Sequence, residues 1–153
     1  MTGDVVRSFY TALDNRDGDA MAACYHPAVV FEDPVFGVLT GRDAADMWRM
    51  LCSNSRDLRV SHPVDETTTP TTVHWVAEYT YPPTGRAVRN EVTAQITVRD
   101  GLIVDHRDDF DLWTWSSQAL GLPGRLFGWT PFLRRSIRTR ARTALDRFQA
   151  RIS

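Results

Sequence analysis

The chain contains no lysine: all 18 of its basic residues are arginine. That bias points to GC-rich coding and carries no functional signal by itself. Cysteine is scarce as well. Cys24 and Cys52 stand far apart in no CxxC or Cys/His spacing, which argues against a zinc site and a disulfide framework. A reducing cytoplasm is the expected compartment. No apolar run approaches the ~20 residues of a membrane span, and the acidic start Met1-Thr2-Gly3-Asp4 leads straight into an amphipathic pattern, so neither a span nor an export leader is expected. Repeats, low-complexity tracts and disordered linkers are also missing. The 153 residues suit one domain, long enough to bury roughly two thirds of its unfolded surface.

What is present is an uneven distribution of charge. Residues 112–153 hold eight of the 18 arginines and one of the 19 acids, so the tail is near +7 and the body near −8 despite a net charge of −1. Such a tail suits nucleic acid, lipid or an acidic partner. The simpler reading lays it against its own acidic body, with no nucleic acid involved.

Apolar periodicity divides the chain. Val5, Val6, Phe9, Tyr10 and Leu13 have helical spacing, and Asp17-Gly18-Asp19 ends that helix and caps a short second one through Tyr25. His26-Pro27 stops it. A short strand at Val29-Val30-Phe31 runs into Asp33-Pro34, and Thr40-Gly41-Arg42-Asp43 opens a third helix with Ala44, Met47, Trp48 and Leu51 on one face, ending near Asn54. From Leu58 the period becomes two, predicting strands at 57–66, 71–81, 88–99 and 102–113. Thr69-Pro70, Pro82-Pro83-Thr84-Gly85 and Asp100-Gly101 supply the turns. A four-strand antiparallel meander covered on one side by three helices is an α+β domain. Beyond Leu112, apolar residues from Trp113 to Trp129 mix with Gly121, Pro123, Gly124 and Gly128 too irregularly for one helix, and an aromatic wrap is expected. Thr130-Pro131 then starts a last helix with Leu133, Ile137, Ala141, Leu145, Phe148 and Ile152 on one stripe and arginines 134, 135, 138, 140, 142, 147 and 151 opposite.

Two runs concentrate acids within apolar strands: Phe31-Glu32-Asp33-Pro34-Val35-Phe36-Gly37 and His106-Arg107-Asp108-Asp109-Phe110-Asp111. A buried carboxylate costs several kcal/mol unless it is paired or lines a wet cavity. Alternation places His106, Asp108 and Phe110 on one face and Arg107, Asp109 and Asp111 on the other, and only one set faces inward. If it is the former, His106 and Asp108 share a proton network, and burial raises the aspartate's pKa. The bland alternatives are specific. Asp33 before proline caps a turn, Glu78 pairs with Arg89, His106 and Asp108 satisfy each other, and Phe31, Phe36, Trp48 and Tyr79 are core or pocket wall. No third ligand accompanies His106-x-Asp108, and no metal or cofactor is expected.

The order of elements, with Glu-Asp-Pro after the first strand and His-Arg-Asp-x-Phe-Asp on the last, resembles the nuclear transport factor 2-like superfamily over residues 3–113. That superfamily includes ketosteroid isomerases, SnoaL-like polyketide cyclases and limonene epoxide hydrolases. The resemblance implies a cone whose curved sheet wraps the N-terminal helices around one deep apolar pocket, commonly in a homodimer, with residues 114–153 as a packed extension. It casts Asp33 as the isomerase's proton-shuttling base. Phe9 then occupies the place of the oxyanion-hole tyrosine, with Tyr10 one position away. Gln95 stands where the isomerase keeps a protonated aspartate, a documented case of tuned acidity. Asp108 matches the first aspartate of the hydrolases' Arg-Asp-Tyr-Phe-Asp run, while Val76-Ala77-Glu78 lacks the arginine of their water-activating set. SnoaL-like cyclases require mainly one acid/base carboxylate on this last strand, which fits best.

The expectation is therefore a cofactor-independent cyclase or isomerase acting by proton transfer on an apolar, oxygenated small molecule such as a polyketide or terpenoid. Asp108 is the acid/base, His106 and Asp33 share its proton, and Tyr10, Phe31, Phe36, Trp48, Glu78, Gln95 and Phe110 line the pocket. The alternative is a non-catalytic ligand-binding or dimerisation domain.

Overall fold

A computed structural model describes residues 2–61, 64–65 and 70–152. Residues 62–63 and 66 of the predicted strand at 57–66, and the Thr69 half of the first meander turn, lie outside them. Helices α1 (Thr2–Asp14) and α2 (Gly18–Ala23) open the chain, and the Asp17 carboxylate caps α2 by accepting from the Ala20 N–H. The second helix stops before Tyr25, which instead begins β1 (Tyr25–Asp33). His26-Pro27 lies inside that strand, which is longer than the sequence pattern predicts. It pairs with an unpredicted short strand, β2 (Gly37–Thr40), across the turn at Pro34. Helix α3 (Arg42–Asn54) follows.

The predicted strand at 57–66 is described as two pieces, β3 (Arg59–Ser61) and β4 (Val64–Asp65), both pairing with β5 (Thr71–Tyr81). β6 (Arg86–Arg99) and β7 (Leu102–Asp109) complete the antiparallel meander. The last strand ends four residues earlier than its pattern suggests. Asp111 becomes the N-cap of α4 (Leu112–Leu120), accepting from the Trp113 and Thr114 N–H groups. The sheet order is β2-β1-β7-β6-β5-β3, with β1 parallel to β7. That parallel pair lays the two acid-rich runs side by side.

The inner face of the sheet and the apolar faces of α1 and α3 make one core. Val6, Phe9, Tyr10 and Leu13 meet Met47 and Trp48, together with Phe31, Val73, Trp75, Ala94, Ile96 and Ile103 from the sheet. The expected aromatic wrap is two short helices, α4 and α5 (Leu122–Phe127), broken at Gly121. Leu112, Trp115 and Ala119 of α4 form a second cluster with Val88, and the Trp115 indole N–H donates to the Tyr79 hydroxyl at 2.8 Å.

The final helix, α6 (Pro131–Ile152), docks as its stripe predicts, with Leu145 fully buried in the main core and Ile137 in the second cluster. Its charge also meets the acidic body. Arg142 donates to Asp43, and the Gln149 amide donates to Asp43 and to the buried Asp46, which also receives Arg42 and Arg49. No helix among the described residues is long and apolar enough to cross a membrane.

Candidate functional site

Strand alternation on β7 resolves the choice of face: His106 and Asp108 point inward and are buried, while Arg107 and Asp109 are exposed. His106 sits in a shell of aromatic rings. Trp48 stacks on it at 6.0 Å, and Phe9 and Phe31 present their edges at 5.3 and 5.1 Å. Phe9 comes from α1, Trp48 from α3 and Phe31 from the neighbouring strand β1, so the imidazole is fixed from three elements at once.

Both ring nitrogens are engaged. Nε2 lies 2.8 Å from the Asp108 carboxylate, and Nδ1 lies 2.8 Å from the Tyr25 hydroxyl, which accepts from the Trp48 indole N–H at 2.8 Å. Among the described residues the Tyr25 oxygen has only these two hydrogen-bond partners. Its own proton therefore goes to Nδ1, and the ring proton sits on Nε2 and is donated to Asp108. The result is a directed chain, Trp48 to Tyr25 to His106 to Asp108. Tyr10 adds its hydroxyl 3.4 Å from Nε2. Burial and the Asp108 charge hold the Tyr10 and Tyr25 phenols well above their ordinary pKa, so both stay protonated.

Asp33 stands beside this chain. The parallel register pairs Glu32 with Arg107, so the next pair of positions is Asp33 and Asp108, on strands about 4.8 Å apart. One Asp33 oxygen accepts from the Val35 N–H at 2.9 Å and the Phe36 N–H at 2.6 Å, so the turn-capping role is real. The residue keeps some surface at the rim, yet its carboxyl is enclosed. Burial, reinforced by the Asp108 charge, pushes its pKa up to about 7 against the opposing backbone donors and Arg138. Two carboxylates thus lie on adjacent strands, one of them with its pKa raised to about 7, a pairing chemically able to give and take a proton.

Both open onto a cavity of about 590 Å³, also lined by Glu32, Gln95, Arg107 and Arg138. A larger groove of about 730 Å³ lies beside α3, but Asp17 is spent on capping α2, Asp19 and Asp46 on Arg49 and Arg42, and its Cys52 thiol is pushed up to about 11, so it holds no comparable group. Arg138 reaches the smaller cavity from α6 and rests on Gly37, whose positive φ of 71° and lack of a side chain leave room for it. Among the described residues it forms no ion pair or hydrogen bond, so its guanidinium donors are unspent.

The sequence-predicted positions separate into three groups. His106, Asp108 and Asp33 come together, and Gln95 joins them at the cavity. Tyr10, Phe31 and Trp48 form the packed surround of His106, while Phe36 and Phe110 are half-buried against the core. Glu78 lies exposed on the other face of the sheet, opposite Arg89 in register, and away from the cavity. Sequence reasoning missed Tyr25, which continues the spacing of α2, and Arg138, one arginine among seven on its helix. No group of three or more potential metal ligands occurs among the described residues.

A family model described as SnoaL-like domain matches residues 6–106. The chain belongs to the SnoaL-like domain family. Solved structures of the same architecture include a hypothetical protein with a ketosteroid isomerase-like fold from Catenulispora acidiphila, in complex with trimethylamine. It has 17% identity and a TM-score of 0.69, covering 86% of this chain and all of that one. TerC, co-crystallized with polyporic acid, has 18% identity and a TM-score of 0.65, covering 78% of this chain and 98% of its own. An LEH-like epoxide hydrolase from M. tuberculosis has 23% identity and a TM-score of 0.64, covering 82% and 94%. At these identities the likeness establishes the SnoaL-like fold and leaves the reaction to the site. No curated protein matches in sequence.

Proposed function

We propose that this SnoaL-like protein is a cofactor-independent acid/base enzyme that moves a proton on a small oxygenated molecule, in the manner of a cyclase or isomerase. The observation that carries the reading is the enclosed Asp33 carboxyl, with a pKa raised to about 7, beside the His106-held Asp108 at a shared cavity. A carboxyl half-ionised at working pH serves equally as base and as acid. The sequence assigns this role to Asp108. The geometry favours Asp33 for the transfer, with Asp108 held in place by His106 and supplying the neighbouring charge. Arg138 offers its free donors to the oxygen on which charge develops when a proton leaves the adjacent carbon.

The ligand is a small molecule with an apolar frame and at least one carbonyl or hydroxyl oxygen, of the polyketide or terpenoid kind. The charged lining of the cavity makes the oxygenated end the recognised one. Family resemblance supports a homodimer, and two buried free thiols, Cys24 and Cys52, suit a cytoplasmic setting. A second reading, a non-catalytic binding domain, is favoured by the aromatic filling around His106. The two separate in one assay: exchange of the α-hydrogens of an aryl β-diketone with D2O, followed by NMR. The enzyme reading predicts accelerated exchange that falls by about 10²-fold or more in Asp33→Asn. Exchange unchanged in that variant sinks it, and tight binding of the diketone without any exchange supports the binding domain.

A further inference from the structure

The segment from α5 into the first turn of α6 is packed inside out. Gly121, Gly124 and Gly128 are its buried residues, and a Cβ on Gly124 would lie 1.9 Å from the Ser116 carbonyl oxygen, one on Gly128 2.3 Å from the Ser116 hydroxyl. Only glycine permits this approach. Seating the segment by its glycines turns its large side chains outward. Leu122, Leu126, Phe127, Trp129 and Phe132 are all more than half exposed, Phe132 at 81% and Trp129 at 66%. A water-facing surface segment does the reverse, and a concentration of exposed large apolar residues marks an interaction surface.

The charge around it identifies the partner. Arg125, Arg134 and Arg135 are exposed within the same stretch, and no acid occurs between Asp111 and Asp146. A second copy docked isologously through this face would set arginine against arginine with no acid to relieve them. An anionic lipid surface satisfies both components at once: Trp, Phe and Leu enter the interface while arginines meet the headgroups.

We propose that residues 122–135 form a docking face for anionic membrane surfaces, independent of the reaction assigned to the cavity. The face binds peripherally, with Trp129 and Phe132 inserted at headgroup depth and Arg125, Arg134 and Arg135 on phosphates. Arg138 stands six residues beyond Phe132 on α6, about 9 Å along its axis. The docked face is thus close to the cavity through which an apolar molecule would pass.

The test is co-sedimentation of the full chain with vesicles of phosphatidylcholine alone and of equal parts phosphatidylcholine and phosphatidylglycerol, at low and high salt. The expected result is binding to the anionic vesicles, weakened by salt, reduced at least about tenfold by Trp129→Ser with Phe132→Ser. Arg134→Gln with Arg135→Gln lowers it toward the neutral-vesicle level, and the exposed control Val30→Ser leaves it unchanged. Because the substituted side chains already face solvent, these variants keep the fold. No binding to anionic vesicles, or binding that survives the paired serine variant, overturns the proposal. So does a wild-type dimer that ignores vesicles and becomes a monomer in that variant, since the face is then a self-contact.

Discussion

Replacing Asp33 by asparagine isolates the energetic cost of the raised carboxyl. In the folded protein the group titrates near 7 against an ordinary value of 3.8, so between those values the folded state holds a proton that the unfolded chain has released. Stability contributed by the protonated form is intact below the unfolded value and declines as pH rises through this window, reaching its full loss above the folded value. Three pKa units correspond to a ceiling of about 4 kcal/mol at 1.36 kcal/mol each, and partial exposure at the rim brings the expected effect to about 2–4 kcal/mol. Asparagine cannot ionise, and its side-chain oxygen can still accept from the Val35 and Phe36 N–H groups, so the turn survives. Urea unfolding of both proteins from pH 4 to pH 8 should find near-equal stability at the acid end. The variant should then gain progressively, to about 2–4 kcal/mol at pH 8. A difference that stays flat with pH would refute the reasoning, because the carboxyl would then be solvated and ordinary.

Other perturbations test the scaffold that holds the site. Tyr25→Phe removes the oxygen between Trp48 and His106, leaves two buried polar groups without partners and should cost about 2–4 kcal/mol in urea unfolding; a neutral result would mean that water replaces the hydroxyl. Gly124→Ala drives a methyl into the α4 backbone at Ser116 and should lower stability by about 1–3 kcal/mol, with faster amide exchange in α5 as the local readout. Leu145→Ala opens a cavity where α6 meets the main core and should cost about 2–5 kcal/mol, whereas a change under 1 kcal/mol would make α6 an outward arm.

The parts legible in the sequence were those with local periodicity. Alternation along β7 separated His106, Asp108 and Phe110 from Arg107, Asp109 and Asp111 and left only the choice of inward face to the structure, and the Leu145 stripe on α6 predicted its docking. Pairing across long separations was less accessible. Nothing within 25–33 or 102–109 announces that these strands lie parallel, yet that contact puts Asp33 beside Asp108. Tyr25 was hidden because a tyrosine four residues after Met21 continues a helix as naturally as it starts a strand. Arg138 was hidden by its neighbours, since only the bare backbone at Gly37 distinguishes it from the other arginines of α6. The glycine-seated segment after α4 misled for a related reason: apolar residues were expected to pack inward, whereas close approach at Gly124 and Gly128 leaves Leu126, Phe127 and Trp129 outside.

The central claim is that Asp33 and Asp108 form one electrostatically linked pair poised for proton transfer. Its most direct test is the carboxyl 13C titration of Asp33 by NMR, in the wild type and in Asp108→Asn. The account predicts a midpoint near 7 in the wild type, shifted downward when the neighbouring charge is removed. A midpoint near 4 in the wild type, or one indifferent to Asp108→Asn, would contradict it.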